Sequence, residues 1–262
     1  MKAFRIISLA LAAVLMAACF TACSKMENDG THKRLAKLTI NDDSFFHLCY
    51  TFKYDDKGLL KNSTLETIIY GESNPTTLIE SYDYVWNSQS IDVTATSNNN
   101  GIIEERYEYT YNLSEGLIRS KNYSDGTGHN FSFGYDSSNR LIQFDDQMIS
   151  WDNDKLTSIK VDDEVYWYHK LFTYGTTPAA NGYSPLATFS VTGEALILTH
   201  PELAGLKTNK IPLTEITLPN ELNQQKNFEY EFDKDGYISK INEIITQAEG
   251  ESWSTEYTIV WE

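Results

Sequence analysis

The chain has 262 residues, a formal charge of −16 and 41% hydrophobic residues, and its aromatic share of 13% comprises 17 Tyr, 12 Phe and 5 Trp. That charge excludes a nucleic-acid binder, which needs a basic surface to attract phosphate, and the aromatic load excludes intrinsic disorder. The length suits one large domain or two small ones, with ample chain for a packed core.

At the N-terminus, Lys2 and Arg5 precede an apolar run from Ile6 to Ala18. The run has the length of a signal-peptide core and is too short to span a bilayer comfortably. It leads into Ala17-Ala18-Cys19-Phe20-Thr21-Ala22-Cys23-Ser24-Lys25. A small residue before a cysteine, directly after an apolar core, resembles the lipobox of bacterial lipoproteins. In that family the cysteine becomes the lipidated first residue of the mature chain. Cys23 is favoured, since Thr21 and Ala22 precede it and the polar stretch Ser24 to Asp29 follows it. Cys19 is the runner-up, because its use leaves Phe20 in the tether. A plain secretory signal is the alternative, and it leaves two cysteines at this boundary unexplained. With Cys23 lipidated and Cys19 removed, Cys49 has no partner for an intramolecular disulfide and reads as a structural thiol in a strand. No later apolar run approaches 18 residues, so the remainder is expected to be tethered rather than embedded.

From residue 35 onward, aromatic residues recur at every second position and run into Asp or Asn. Tyr50, Phe52 and Tyr54 lead into Asp55, and Tyr82, Tyr84 and Trp86 into Asn87. Tyr107, Tyr109 and Tyr111 lead into Asn112, and Phe131, Phe133 and Tyr135 into Asp136. Trp151-Asp152-Asn153 is a shortened copy, and Tyr166, Tyr168, Phe172 and Tyr174 a degenerate one. Phe228, Tyr230 and Phe232 lead into Asp233, and Tyr257, Ile259 and Trp261 close the chain. Strand side chains alternate between faces, so each triplet shares one face. The other face is polar, as in Arg106 and Glu108, Glu229 and Glu231, or Glu256 and Thr258. This is the pattern of an antiparallel sheet with one dry side. The Asp or Asn is a turn former, Gly58 and Gly236 supply positive φ, and an apolar residue such as Leu60, Leu141 or Ile238 starts each return strand. About seven hairpins in series predict a meander of a dozen or more strands. A sheet of that size must curl, split or close.

The segments Phe52-Lys-Tyr-Asp-Asp-Lys-Gly-Leu-Leu and Phe133-Gly-Tyr-Asp-Ser-Ser-Asn-Arg-Leu resemble the YD repeats of Rhs-type proteins. Phe228-Glu-Tyr-Glu-Phe-Asp-Lys-Asp-Gly-Tyr-Ile is similar, with Phe232 in place of the Tyr. Together with the lipobox, the chain resembles a family of Bacteroidota lipoproteins of unknown function with a porin-like β fold. The resemblance implies an extensive antiparallel meander and brings no catalytic residues. The expected fold is therefore all-β: a large antiparallel meander curled into a barrel-like or half-open porin-like sheet. The expected division is a lipoprotein signal peptide over 1–22, a polar tether over 23–34 and one β-meander domain over 35–262.

Residues 175–220 depart from the alternation and hold Pro178, Pro185, Pro201, Pro212 and Pro219. Thr199-His200-Pro201-Glu202 reads as a capping box opening a short helix that Gly205 ends, and Glu194 to Leu198 as another helical turn. A short helical insertion around 193–205 is expected over one barrel mouth or along an edge; a long surface loop is the alternative.

Chemistry is sparse. Asp233 and Asp235 copy the first half of a calcium loop, but Asn242 stands where a bidentate Glu belongs and strands flank it, so a β-turn explains it without an ion. His32, His47, His129, His169 and His200 are scattered, and neither a nucleophile elbow nor a phosphate loop is present. A transmembrane barrel is disfavoured by the charged alternate face. No cofactor and no metal are expected, and nucleic acid is excluded as a partner. Sugars stack on exposed aromatic rings, and Trp253, Tyr183 and Tyr123, outside the inward triplets, are the candidates for such a platform. The reading is a non-catalytic, lipid-anchored envelope protein on the outer membrane, periplasmic or surface-exposed, that binds a glycan or a protein partner. The alternatives are a carboxylate-dependent hydrolase working in a barrel mouth and a structural subunit of an envelope assembly. Replacing Cys23 by Ala is expected to abolish metabolic labelling with a fatty-acid probe, whereas Cys19→Ala leaves it intact. The opposite pattern assigns the anchor to Cys19.

Overall fold

The computed structural model describes residues 33–262, apart from 43–44, 71–74, 100–101, 125, 127, 129, 163–166, 177–182, 219–224 and 247–251. Cys19 and Cys23 lie outside the described residues. The described chain forms sixteen antiparallel strands joined in sequence order and closed between the first and the last. They are β1 Leu35–Asp42, β2 Phe46–Tyr54, β3 Leu60–Ile69, β4 Thr76–Trp86, β5 Ser90–Asn99 and β6 Ile102–Ser114. There follow β7 Leu117–Tyr123, β8 Phe131–Tyr135, β9 Leu141–Phe144, β10 Gln147–Asp152, β11 Lys155–Asp162 and β12 Trp167–Tyr174. After an insertion come β13 Pro212–Leu218, β14 Gln225–Phe232, β15 Ile238–Thr246 and β16 Ser252–Trp261. Closure pairs Leu38 with Ile259 and Ile40 with Tyr257. The aromatic and aliphatic alternates point into the lumen; Phe52, Tyr84, Ile91, Tyr109 and Phe133 are all buried. Their neighbours Lys53, Asp83, Asp92, Glu108 and Thr258 face outward and are exposed. The sheet thus closes fully, which removes the edges that an open meander would leave.

The last inward ring of an even-numbered strand has a further task. Its phenol or indole donates to the backbone carbonyl of the first or second residue of the preceding strand. The donor–acceptor pairs are Tyr54 to Leu35, Trp86 to Leu60, Tyr135 to Ile118, Trp151 to Leu141, Tyr174 to Leu156, Tyr230 to Pro212 and Trp261 to Ile238, at 2.5–2.8 Å. Each accepting residue sits at a register shift. A bulge leaves an extra residue unpaired and re-aims the backbone, and the aromatic donor satisfies a carbonyl that would otherwise be left in a dry interior. The turn chemistry repeats as well. Oδ1 of Asp55, Asp136 and Asp233 accepts the backbone N–H groups two and four residues on, with positive φ at Gly58, Asn139 and Gly236. The carboxylates of Asp233 and Asp235 also hold the Lys33 ammonium, at 2.7 and 2.6 Å. Phe232 does not join the interior. It is 41% exposed, although the register shift beside it matches those beside the inward Tyr54 and Tyr135. Tyr230 takes the donor role instead, so position 232 has no need of a hydroxyl.

The short Asp and Asn turns lie at one end of the barrel. Both ends of the described chain meet there, with Arg34 N–H donating to Glu262 O at 2.7 Å and Glu262 N–H to Arg34 O at 2.9 Å. The insertion enters from this end and fills the lumen, rather than lying over a mouth or along an edge. It contains helix α1 (Pro185–Val191), helix α2 (Ala195–Thr199) and a 3-10 turn at Pro201–Ala204. The run Ala195-Leu196-Ile197-Leu198 is buried on every side, as a helix without a polar face must be. The expected capping box does not form: Thr199 Oγ1 donates back to the carbonyls of Ala195 and Leu196, and His200 caps the 3-10 turn without a side-chain bond. Gly205 ends that turn in the left-handed region at φ 60°, pressed against the Asn139 carbonyl. His200 packs on the rings of Tyr54 and Trp86, and burial depresses its pKa to about 4.

Removing one latch hydroxyl leaves a buried carbonyl unpaired. Tyr54→Phe and Tyr174→Phe are each expected to cost about 1–3 kcal/mol, read by urea unfolding at unchanged m-value. Variants that unfold at the wild-type midpoint would show that the rings serve packing alone.

Candidate functional site

Above the insertion, the lumen keeps a cavity of about 290 Å³. Its wall is a sector of the barrel from β2 to β7: Tyr50, Leu65, Tyr82, Tyr84, Tyr107, Tyr109, Lys121 and Tyr123. Its floor is the link between the two helices, Thr192, Gly193, Glu194 and Ala195. Alternation puts the tyrosines there, and register aligns them, since Tyr109 stands opposite Tyr123 and Tyr111 opposite Lys121. Tyr84, Tyr109 and Tyr111 are buried deep in the wall. Leu65, Tyr82, Tyr107 and Tyr123, nearer the end with the longer connections, are half-exposed and form the mouth. Gly128, in the connection after β7, lies so close to Tyr123 that a Cβ there would fall 2.3 Å from the ring.

One ion pair joins wall to floor. Lys121 Nζ is 2.7 Å from Glu194 Oε1, and the Lys121 side chain is 6% exposed against 26% for Glu194. Tyr111 donates to Glu194 Oε2 at 2.8 Å. The ammonium also lies 4.1 Å from the Tyr109 ring centre and 5.2 Å from that of Tyr123, within the range of cation–π attraction. The site coincides with a break in the latch. In β6 the usual donor position is Leu113, whose own N–H bonds the Gln89 carbonyl. The hydroxyl of Tyr111, two residues earlier, turns to Glu194 instead. Tyr84 shares a hydrogen bond with Ser63 at 2.9 Å, and Tyr82 one with Tyr107.

A second polar group lies on the inner face of β12 to β16. Glu215 and Glu243 are both buried. Lys226 is 2.8 Å from Glu243 and 3.9 Å from Glu215, Lys170 is 3.9 Å from Glu215, and Tyr257 donates to Glu243 at 2.6 Å. Two carboxylates thus share one ammonium.

Of the three aromatic candidates, Tyr123 lines the cavity. Trp253 is half-buried on the inner side of β16, opposite Ile245. Tyr183 is no surface platform: it is 8% exposed and meets Trp261 edge-on at 5.7 Å, because the insertion carries it into the plugged end. The sequence pattern does not single out Lys121 or Glu194 as site residues. Lys121 shares the strand parity of Tyr123 and was in principle legible; Glu194 lies where alternation stops.

No protein-family model and no curated protein matches the chain. Among solved structures, a porin-like protein from Bacteroides uniformis superposes with a TM-score of 0.62 at 13% identity, covering 88% of this chain and 99% of that one. A porin-like protein from Bacteroides vulgatus matches at TM-score 0.35 and 8% identity over 88% and 99% of the two chains. A β-barrel-like protein from a domain family of unknown function in Brucella abortus matches at 0.33 and 8%, over 87% and 95%. The first of these shares the fold, so this chain has a porin-like barrel fold.

The phenols of Tyr50, Tyr107, Tyr109 and Tyr111 stay neutral at physiological pH. Burial, with the charge of Glu194, pushes Tyr50 up to about 12. Burial likewise pushes Tyr107 up to about 12 and holds Tyr109 and Tyr111 well above the usual phenol range. A pKa raised in the folded state favours the neutral form, so this stability is complete below the unfolded value of 10 and is lost as pH rises through about 12. Absorbance titration at 295 nm is expected to show much of the phenolate only above about 12, together with loss of near-UV circular dichroism. Full ionisation with the fold intact would contradict the burial.

Proposed function

We propose that the protein is a non-catalytic binding module, anchored by lipid outside the cytoplasm, whose lumen captures the end of a glycan. The observation that carries the binding reading is the tyrosine-walled cavity with a polar floor, which combines the two things a sugar ring needs. Aromatic faces accept its C–H surface, and hydroxyl and carboxylate groups meet its hydroxyls. At about 290 Å³ the cavity lies at the small end of ligand sites. That size suits one or two sugar rings better than a folded partner. What supports the anchor is the N-terminal sequence, from Lys2 through the apolar run to Cys23. Lys33 lies ten positions after Cys23, a reach of at most about 35 Å. Lys33 is bound to Tyr237 and Asp233 at the plugged end, so an anchor at Cys23 tethers that end and leaves the mouth facing away from the membrane.

A hydrolase reading rests on Glu215 and Glu243. Their shared Lys226 and the Tyr257 hydroxyl hold them in a closed network, which favours a structural role for the pair.

Glycan-array screening followed by calorimetry is expected to find an oligosaccharide ligand, with Tyr107→Ala and Tyr123→Ala each weakening it about tenfold, the equivalent of one lost ring contact. An empty array, or ligands whose affinity neither variant changes, refutes capture in this cavity. Release of reducing ends from a bound glycan would favour the hydrolase.

A further inference from the structure

Resting on the reading of the lumen as a glycan site, we infer that the cavity selects uncharged sugar rings and rejects acidic ones, with Glu194 as the group that reads hydroxyls. Among the described residues, four charged side chains bear on it. Lys121 on β7 and Glu194 on the floor neutralise each other at 2.7 Å. Glu80 stands on the inward face of β4, opposite Leu65 and two residues before Tyr82. Its carboxylate is close enough to raise the pKa of Tyr82, Tyr50 and Tyr107. Glu105 opposes Ser97 on β5, placing it on the inward face of β6 beside Tyr107, towards the mouth. Among these described groups the balance is one cation against three carboxylates.

The cation is not available to an acidic ligand. Lys121 is 6% exposed, hidden behind the Tyr109 and Tyr123 rings and already paired. A carboxylate entering the cavity therefore gives up its hydration, meets Glu80 and Glu105 on the way in, and finds no free counter-charge among the described residues. A cationic ligand fares little better at the rings, because Lys121 fills the aromatic cage from behind. A neutral ring suffers neither penalty. Its hydroxyls can donate to Glu194, whose side chain is 26% exposed. It can also exchange hydrogen bonds with Tyr50, Tyr82 and Tyr107, which are phenols and so both donate and accept. Each oxygen of Glu194 already takes one hydrogen bond, from Lys121 or from Tyr111. The carboxylate is thereby oriented with acceptor capacity to spare.

The test is calorimetry on the full chain with size-matched oligosaccharide sets: neutral (gluco-, manno- and galacto-oligosaccharides), acidic (oligogalacturonates) and basic (chitosan oligosaccharides). At low salt, at least one neutral set is expected to bind tenfold or more tightly than the acidic set. The gap should narrow as added salt screens the mouth. Glu80→Gln is expected to raise oligogalacturonate affinity several-fold. Glu194→Gln is expected to weaken the neutral ligand tenfold or more. Since that change also unpairs Lys121, Glu194→Asp and a thermal melt accompany it, and weakening without a lowered melting temperature supports direct reading. Acidic sugars that bind as tightly as neutral ones overturn the selectivity and leave glycan capture standing. Failure of every set to bind overturns both.

Discussion

A backbone carbonyl freed by a β-bulge and captured by an aromatic donor is the constraint on which this barrel rests. It recurs on seven of the eight even-numbered strands among the described residues. It explains why the last inward ring is Tyr or Trp and never Phe in those seven pairs, since only the first two carry a donor at the rim of an apolar body. It also links neighbouring hairpins. The Asp turn joins an even strand to the next odd one, while the ring reaches back to the odd strand before it. Each hairpin is thereby tied on both sides, and the register between strands is set at the end where the chain turns.

A sixteen-stranded barrel raises a second problem. At that size the wall side chains alone no longer fill the lumen. The insertion between β12 and β13 solves it by bringing Leu196, Ile197 and Leu198 to full burial among the wall residues. The same segment forms the floor of the cavity, so packing and recognition share one element. The cavity occurs where the latch is interrupted. With Leu113 in the donor position of β6, Tyr111 is released to hold Glu194, and Glu194 in turn holds Lys121. A polar site inside a largely apolar barrel needs every group satisfied, and the tyrosine hydroxyls supply partners.

The strands were legible because alternation is local: Tyr50, Phe52 and Tyr54 declare a face without reference to anything distant. The turns were legible for the same reason, since Asp55 bonds its own backbone two and four residues on. Phe232 misled because it holds the same place in the two-residue period as the inward Tyr54 and Tyr135, yet it is 41% exposed and Tyr230 donates in its stead. Tyr183 misled because exposure was inferred from its position outside the triplets, whereas the path of the insertion decides it.

Composition and periodicity by themselves determined an all-β meander with one aromatic face, because side-chain direction in a strand follows from backbone geometry alone. Closure, the entry of the insertion into the lumen and the meeting of Lys121 with Glu194 were decided only in three dimensions. They depend on which surfaces remain unburied once sixteen strands have curled round, and residues 73 positions apart carry no local signal of their contact.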